Sequence, residues 1–117
     1  MNTHKDLEVW KKAIDFSEMI YSITKTYPND EKFGLVSQMR RAVVSISANI
    51  AEGAARKTRK EFVQFLYIAR GSASELDTLL KKSDRTNMAK SSVLESARMQ
   101  NRIILKMLTS LTRNLNY

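Results

Sequence analysis

Cysteine is absent from the 117 residues, histidine and proline occur once each, and glycine occurs three times. The missing thiols exclude disulfides, thiolate nucleophiles and cysteine-ligated zinc, and fit a reducing compartment, so a cytoplasmic location is expected. The lone His4 leaves no Ser-His pair, no His-carboxylate base and no Glu-x-x-His metal motif. Three glycines far apart cannot form a phosphate-cradling loop, and acidic residues are too few in the last three quarters of the chain for a di-iron carboxylate bundle. No enzyme activity, cofactor or metal is therefore expected. No run approaches the roughly 18 apolar residues of a membrane span, and none follows the N-terminal Met1-Asn2-Thr3-His4-Lys5-Asp6, so neither insertion nor export is expected.

Scarce glycine and proline leave little punctuation for a β fold, and hydrophobic residues make up 43% of the chain, so the expected class is all-α. A chain of this length has room for one domain, residues 1–117. Apolar periodicity then predicts four helices, over about 6–27, 33–54, 58–83 and 91–115. The first opens near Asp6, presents Leu7, Trp10, Ile14, Ser17, Tyr21 and Thr24 on one face, and stops before Pro28. The second places Leu35, Met39, Ala42, Val43, Ile46 and Ile50 together, with Gly53 as terminator. Thr58 and Glu61 read as a capping box opening the third, whose apolar set is Phe62, Phe65, Leu66, Ala69, Ala73, Leu76 and Leu80. Ser83-Asp84-Arg85-Thr86-Asn87 reads as a loop. Ser92 and Glu95 repeat the capping spacing before a seam of Leu94, Ala97, Asn101, Ile104, Leu108, Leu111 and Leu115. Trp10, Tyr21, Tyr67 and the phenylalanines are read as packing residues. Four such helices with short connections give an antiparallel up-and-down four-helix bundle.

The net charge of +8 is uneven. Residues 33–60 carry six basic groups and one acidic, and residues 88–117 carry five and one, whereas the other two stretches nearly balance. Arg98, Arg102, Lys106 and Arg113 fall within an arc of about 80° away from the leucine seam, forming an exposed basic stripe. Arg56, Lys57, Arg59 and Lys60 cluster where the third helix begins, and a helix N-terminus favours anions. Both features suit the phosphate backbone of RNA or DNA. A charged stripe opposite an apolar seam is equally the ordinary solvated face, and Asp6, Glu8, Asp15 and Glu18 offer acidic complements for self-association.

Gln38, Arg41, Ser45, Asn49 and Glu52 form a polar line along the second helix, flanking its apolar face, and the third contributes Gln64, Gly71, Ser72 and Glu75 to one side of its own apolar stripe. Gly71 inside a helix costs about 1 kcal/mol relative to alanine, which implies close approach of a neighbour. Arg41 and Glu75 are expected to pair, with Gln38, Asn49 and Glu52 bonded at a helix or subunit interface.

These positions carry a family resemblance. Phe33-Gly34-Leu35-Val36-Ser37-Gln38-Met39-Arg40-Arg41-Ala42, Ser45-Ile46, Asn49-Ile50-Ala51-Glu52-Gly53, Arg56, Phe62 to Leu66, Ile68-Ala69-Arg70-Gly71-Ser72 and Glu75-Leu76 resemble the bundle proteins encoded in intervening sequences of bacterial 23S ribosomal RNA genes. The match includes Leu7-Glu8-Val9-Trp10 and Pro28 with Glu31, and fades after Leu80. The resemblance implies a bacterial cytosolic bundle in a homopentameric ring, with no enzymatic activity attached. It also implies likeness in fold to the accessory variability determinant of diversity-generating retroelements, a basic ring associated with nucleic acid. Under it, Gln38, Arg41, Ser45, Asn49, Glu52, Gly53, Gly71, Ser72 and Glu75 are structural or interfacial. Two functions stand: an oligomer that binds RNA or DNA through Arg56, Lys57, Arg59, Lys60, Arg98, Arg102, Lys106 and Arg113, or a ring-shaped scaffold that recruits a protein partner.

Overall fold

Pro28 ends the first helix and Thr58 begins the third, and between such signals the chain forms four helices. The computed structural model describes residues 7–116. They comprise α1 (Glu8–Thr24), α2 (Ser37–Ala54), α3 (Arg59–Arg85) and α4 (Ser91–Leu115). A short 3-10 turn at Asn29–Glu31 and a kinked turn through Lys32–Val36 join α1 to α2. Helices adjacent in sequence pack together and α4 closes against α1, giving an antiparallel up-and-down bundle 44 Å long. No strand occurs among the described residues. None of their helices is long and apolar enough to cross a membrane. His4 and Asp6 lie outside the described residues.

The faces assigned to α2, α3 and α4 form the core. Met39, Val43, Ile46 and Ile50 of α2 meet Leu66, Ala69, Ala73, Leu76 and Leu80 of α3 and Leu94, Ala97, Ile104 and Leu108 of α4, all buried. The expected face of α1 is wrong. Val9, Ala13, Phe16, Ile20 and Ile23 are buried, whereas Ile14 and Ser17 are half-buried and Tyr21 is exposed. Both sets keep three-four spacing about 100° apart, so periodicity alone admits either, and the wholly apolar set wins the core. Leu7 and Trp10 pack against its edge.

Helix α1 ends at Thr24 rather than near Tyr27, α2 starts at Ser37 rather than near Phe33, and three expected caps and connections differ as well. Thr58 does cap α3: its hydroxyl oxygen accepts from the Glu61 N–H at 3.1 Å and lies 3.0 Å from Glu61 Oε1. No second box forms at Ser92, because α4 starts at Ser91 with Lys90 in the uncapped position, and the Ser91 hydroxyl instead donates to Asp84. The stretch from Ser83 is not all loop. Helix α3 runs on to Arg85 and closes when the Met88 N–H donates to the Ser83 carbonyl (2.9 Å) and the Asn87 N–H to Asp84 (3.2 Å). Asn87 sits at φ 57°. This is a Schellman closure with asparagine in the left-handed position usually given to glycine. Gly53, expected as a terminator, lies buried inside α2. A Cβ there would stand 2.8 Å from Phe65 Cβ and 2.9 Å from Phe62 Cδ1, so its role is to let α3 approach.

Among the buried polar side chains, Asn101 and Tyr27 each leave an oxygen without a hydrogen-bond partner. Asn101 replaces a leucine in the α4 seam, and its Nδ2 donates to the Ala73 carbonyl of α3 at 2.7 Å, setting the two helices in register. Tyr27 is buried and its hydroxyl makes no close hydrogen bond, its polar neighbour being the Ser83 hydroxyl, which donates to the Met39 sulfur at 3.5 Å. Burial pushes the Tyr27 phenol above its ordinary 10.0, and the Ser83 hydroxyl offsets part of that rise. The folded chain thus holds this proton more tightly than the unfolded one. The resulting stability is full below about pH 10 and is lost as pH rises through the elevated folded value. Tyr27→Phe should cost less than about 1 kcal/mol at neutral pH and should shrink the alkaline loss, as urea midpoints either side of pH 10 would show.

Candidate nucleic-acid interface

The cations at the α2–α3 turn are held outward by the geometry that caps α3. Arg56, Lys57, Arg59 and Lys60 are all exposed there. Arg56 is anchored, with its guanidinium 4.8 Å from the Phe65 ring centroid and Nη2 3.2 Å from Glu52 Oε1. Lys57 and Lys60 make no ion pair and face solvent beside the first turn of α3, where helix polarity attracts anions.

The α4 stripe divides into two halves. Arg98 is tied to α3: its Nε donates to Asp77 at 3.1 Å, its Nη1 lies 3.7 Å from Glu95, and its side chain is only 19% exposed. The Asp77 hydrogen bond raises the Arg98 pKa above its ordinary value. Arg102 shares Glu95 at 3.2 Å. Lys106 and Arg113 are exposed and unpaired. Neither Arg98, Arg102 nor Lys106 is sequestered among the leucines, so the phase assigned to α4 stands, but two of its four cations have carboxylate partners. The outward side also carries Met99 and Ile103, 57% and 40% exposed.

Packing adds α3 cations that no single-helix pattern joined to the stripe. Arg70 lies 5.3 Å over the ring of exposed Tyr67, and the two line a shallow groove with Arg113 and Asn116 of α4. With Asn101 opposite Ala73 and the helices antiparallel, Arg113 comes to the α2–α3 turn end of the bundle. Lys57, Lys60 and Arg113 therefore lie toward one end, with Arg70 about 15 Å along α3 from Lys60. Lys81, Lys82 and Arg85 stand exposed at the other end of α3. Residues 61–87 balance in charge, which hid these side chains, because Asp77 is spent on Arg98 and Glu61 on the cap. The exposed aromatics also depart from the packing expectation: Tyr21 and Phe33 lie on the surface under Arg40 and Lys32, at 4.5 and 5.6 Å.

The polar line on α2 is partly internal. Ser45 and Ser72 share a 2.8 Å hydrogen bond between helices, and Asn49 Nδ2 donates to the Ser45 carbonyl and hydroxyl at 2.8 and 2.9 Å. The expected Arg41–Glu75 pair does not form. Both residues are exposed, as are Gln38 and Glu52, on the outer side of the α2–α3 pair. Gly71 is exposed too, and a Cβ there would meet nothing within 4 Å, so close approach within the bundle does not explain it. Among the described residues no group of three or more histidine or carboxylate side chains could hold a metal.

No curated protein matches the chain. A crystal structure of a protein with unknown function from the S23 ribosomal protein family of Bacteroides thetaiotaomicron VPI-5482 is similar, with 30% identity, 90% of this chain and 95% of that chain covered, and a TM-score of 0.84. The family model for the 23S rRNA-intervening sequence protein matches residues 5–110. Sequence match, helix order and bundle geometry agree, and the chain belongs to the 23S rRNA-intervening sequence protein family.

Proposed function

We propose that this chain is a non-enzymatic cytoplasmic protein that binds RNA or DNA through its basic surface. The observation that carries this reading is the group of exposed cations without carboxylate partners, Lys57, Lys60, Lys106 and Arg113, joined by Arg70 beside Arg113. A phosphate backbone presents regularly spaced charge to such a surface, and displacing its counterions supplies the driving force. Arg56, Arg59, Arg98 and Arg102 complete the contact. Of these, Arg98 and Arg102 are held in place by their acidic partners and give direction more than charge.

The test compares binding of ribosomal RNA fragments and duplex DNA by the natural chain and by a Lys57→Gln, Lys60→Gln, Lys106→Gln, Arg113→Gln variant. Affinity at low salt should fall by about 10- to 100-fold in the variant, with helix content unchanged. Equal affinity in both proteins would contradict this assignment.

The second reading is a homo-oligomeric ring that recruits a protein partner, and one observation favours the assembly part of it. Arg41, Glu52, Gly71 and Glu75 of the polar line share the outer side of the α2–α3 pair, where Val44 and Ile68 are also exposed. Glycine at an exposed helix position is explained if a neighbouring subunit presses against it. Solution mass of Gly71→Leu tests this: a shift to monomer with retained helicity supports a subunit contact, and an unchanged mass removes it. Pull-down after nuclease treatment separates a protein partner from a nucleic-acid bridge.

A further inference from the structure

Lys81, Lys82 and Arg85 project from the last two turns of α3 and, with Arg98 of α4, surround a groove of about 530 Å³. Its one carboxylate is Asp77, already engaged by Arg98 Nε at 3.1 Å. Two further acids lie nearby: Asp84, which accepts from the Ser91 hydroxyl and keeps its charge, and Glu95, shared between Arg98 and Arg102. Lys81, Lys82 and Arg85 have no ion-pair partner. With Arg98 and Asp77 offsetting one another, Lys81, Lys82 and Arg85 leave the lining positive in a concave space within the usual size range of small-molecule sites, about 300–1,000 Å³.

Helix polarity accounts for part of this arrangement, since Lys82 and Arg85 in the last turn complement the negative end of α3. It does not account for Lys81 or for Arg98, whose position is fixed from the neighbouring helix. Neither acidic contact of Arg98 uses Nη2. That leaves a planar donor already oriented and three mobile donors, a set suited to an anion with several charged oxygens. One phosphodiester would satisfy a single cation. No aromatic ring lines the groove, so nothing there recognises a base.

We propose that the α3–α4 groove around Lys81, Lys82, Arg85 and Arg98 is a binding site for a chain of linked phosphates. The source is an inorganic polyphosphate, the tail of a nucleoside triphosphate, or a 5′-triphosphate strand end, all sharing this chemistry. The groove shares Arg98 with the proposed nucleic-acid contact but none of the cations at the α2–α3 turn, where Lys60 is separated from Lys81 by about 32 Å along α3 at 1.5 Å per residue.

Calorimetric titration of tripolyphosphate at low salt tests it in three proteins: the natural chain, Lys81→Gln/Lys82→Gln/Arg85→Gln, and the distant control Lys57→Gln/Lys60→Gln. Saturable binding should weaken by about tenfold or more in the groove variant and stay unchanged in the control. Lys81→Gln alone, outside the last turn, should retain the thermal midpoint and still weaken binding. ATP and RNA oligonucleotides with 5′-triphosphate or 5′-hydroxyl ends distinguish the sources. ATP binding as tightly as tripolyphosphate supports a nucleotide tail, and a triphosphate-end preference lost in Lys81→Gln supports a strand end. Absence of saturable tripolyphosphate binding, or equal weakening in groove and control variants, would overturn the site while leaving the turn-end surface to its own test.

Discussion

Leu108→Ala and Ile46→Ala should each lower unfolding free energy by about 2–5 kcal/mol, whereas Lys106→Ala, two residues from Leu108, should change it by less than about 0.5 kcal/mol. Leu108 and Ile46 are fully buried and lie in the single core cluster that joins all four helices, so truncation leaves a cavity no neighbouring helix can close. Lys106 points to solvent with no ion-pair partner. Denaturant midpoints at constant slope check the prediction. Equal small losses at all three positions would mean that the faces of α2 and α4 are misassigned.

Opposite effects are expected at two glycines inside helices. Gly53→Ala should destabilise the fold by about 1–3 kcal/mol, because the new methyl meets Phe65 Cβ and Phe62 at under 3 Å and the helices must part to admit it. Ring rotation can relieve the contact with Phe62 but not the one with Phe65 Cβ, which is fixed to the α3 backbone. Gly71→Ala has open space around it and should stabilise the isolated bundle by about 0.5–1 kcal/mol through helix propensity alone. Thermal midpoints of the two variants should therefore move in opposite directions, and a shared direction would contradict the packing at the α2–α3 contact.

These glycines show where sequence reasoning stops. Both sit in helical patterns, and close approach was expected at Gly71 and termination at Gly53. The structure places the close contact at Gly53, because which glycine meets a phenylalanine depends on the crossing of α2 and α3. Helix extents were legible because Pro28 and the Thr58–Glu61 pair act locally on the backbone. The closure at Asn87 was not, since asparagine in the left-handed position looks like ordinary loop polarity and Ser83 is a polar residue in a buried place. Helix α1 offered two stripes of equal spacing, and only the neighbours choose between them.

The basic surface was legible in the same partial way. Phase placed Arg98, Arg102, Lys106 and Arg113 off the leucine seam, and the structure agrees. Partners across helices are invisible to phase, so Arg98 read as a free cation although Asp77, 21 residues away in sequence, holds it. Charge counted by segment also concealed Arg70, Lys81, Lys82 and Arg85, because it averages over faces that point in different directions.

Whether the unpaired cations meet a phosphate backbone is read most directly from the salt dependence of duplex binding. If Lys57, Lys60, Lys106 and Arg113 each contact a phosphate, together they should contribute about −3 to −4 to the slope of the logarithm of affinity against the logarithm of salt. Replacing all four by glutamine should make that slope shallower by the same amount, leaving the share of the remaining arginines. No binding at low salt, or a steep slope that the four substitutions leave unchanged, would contradict that contact.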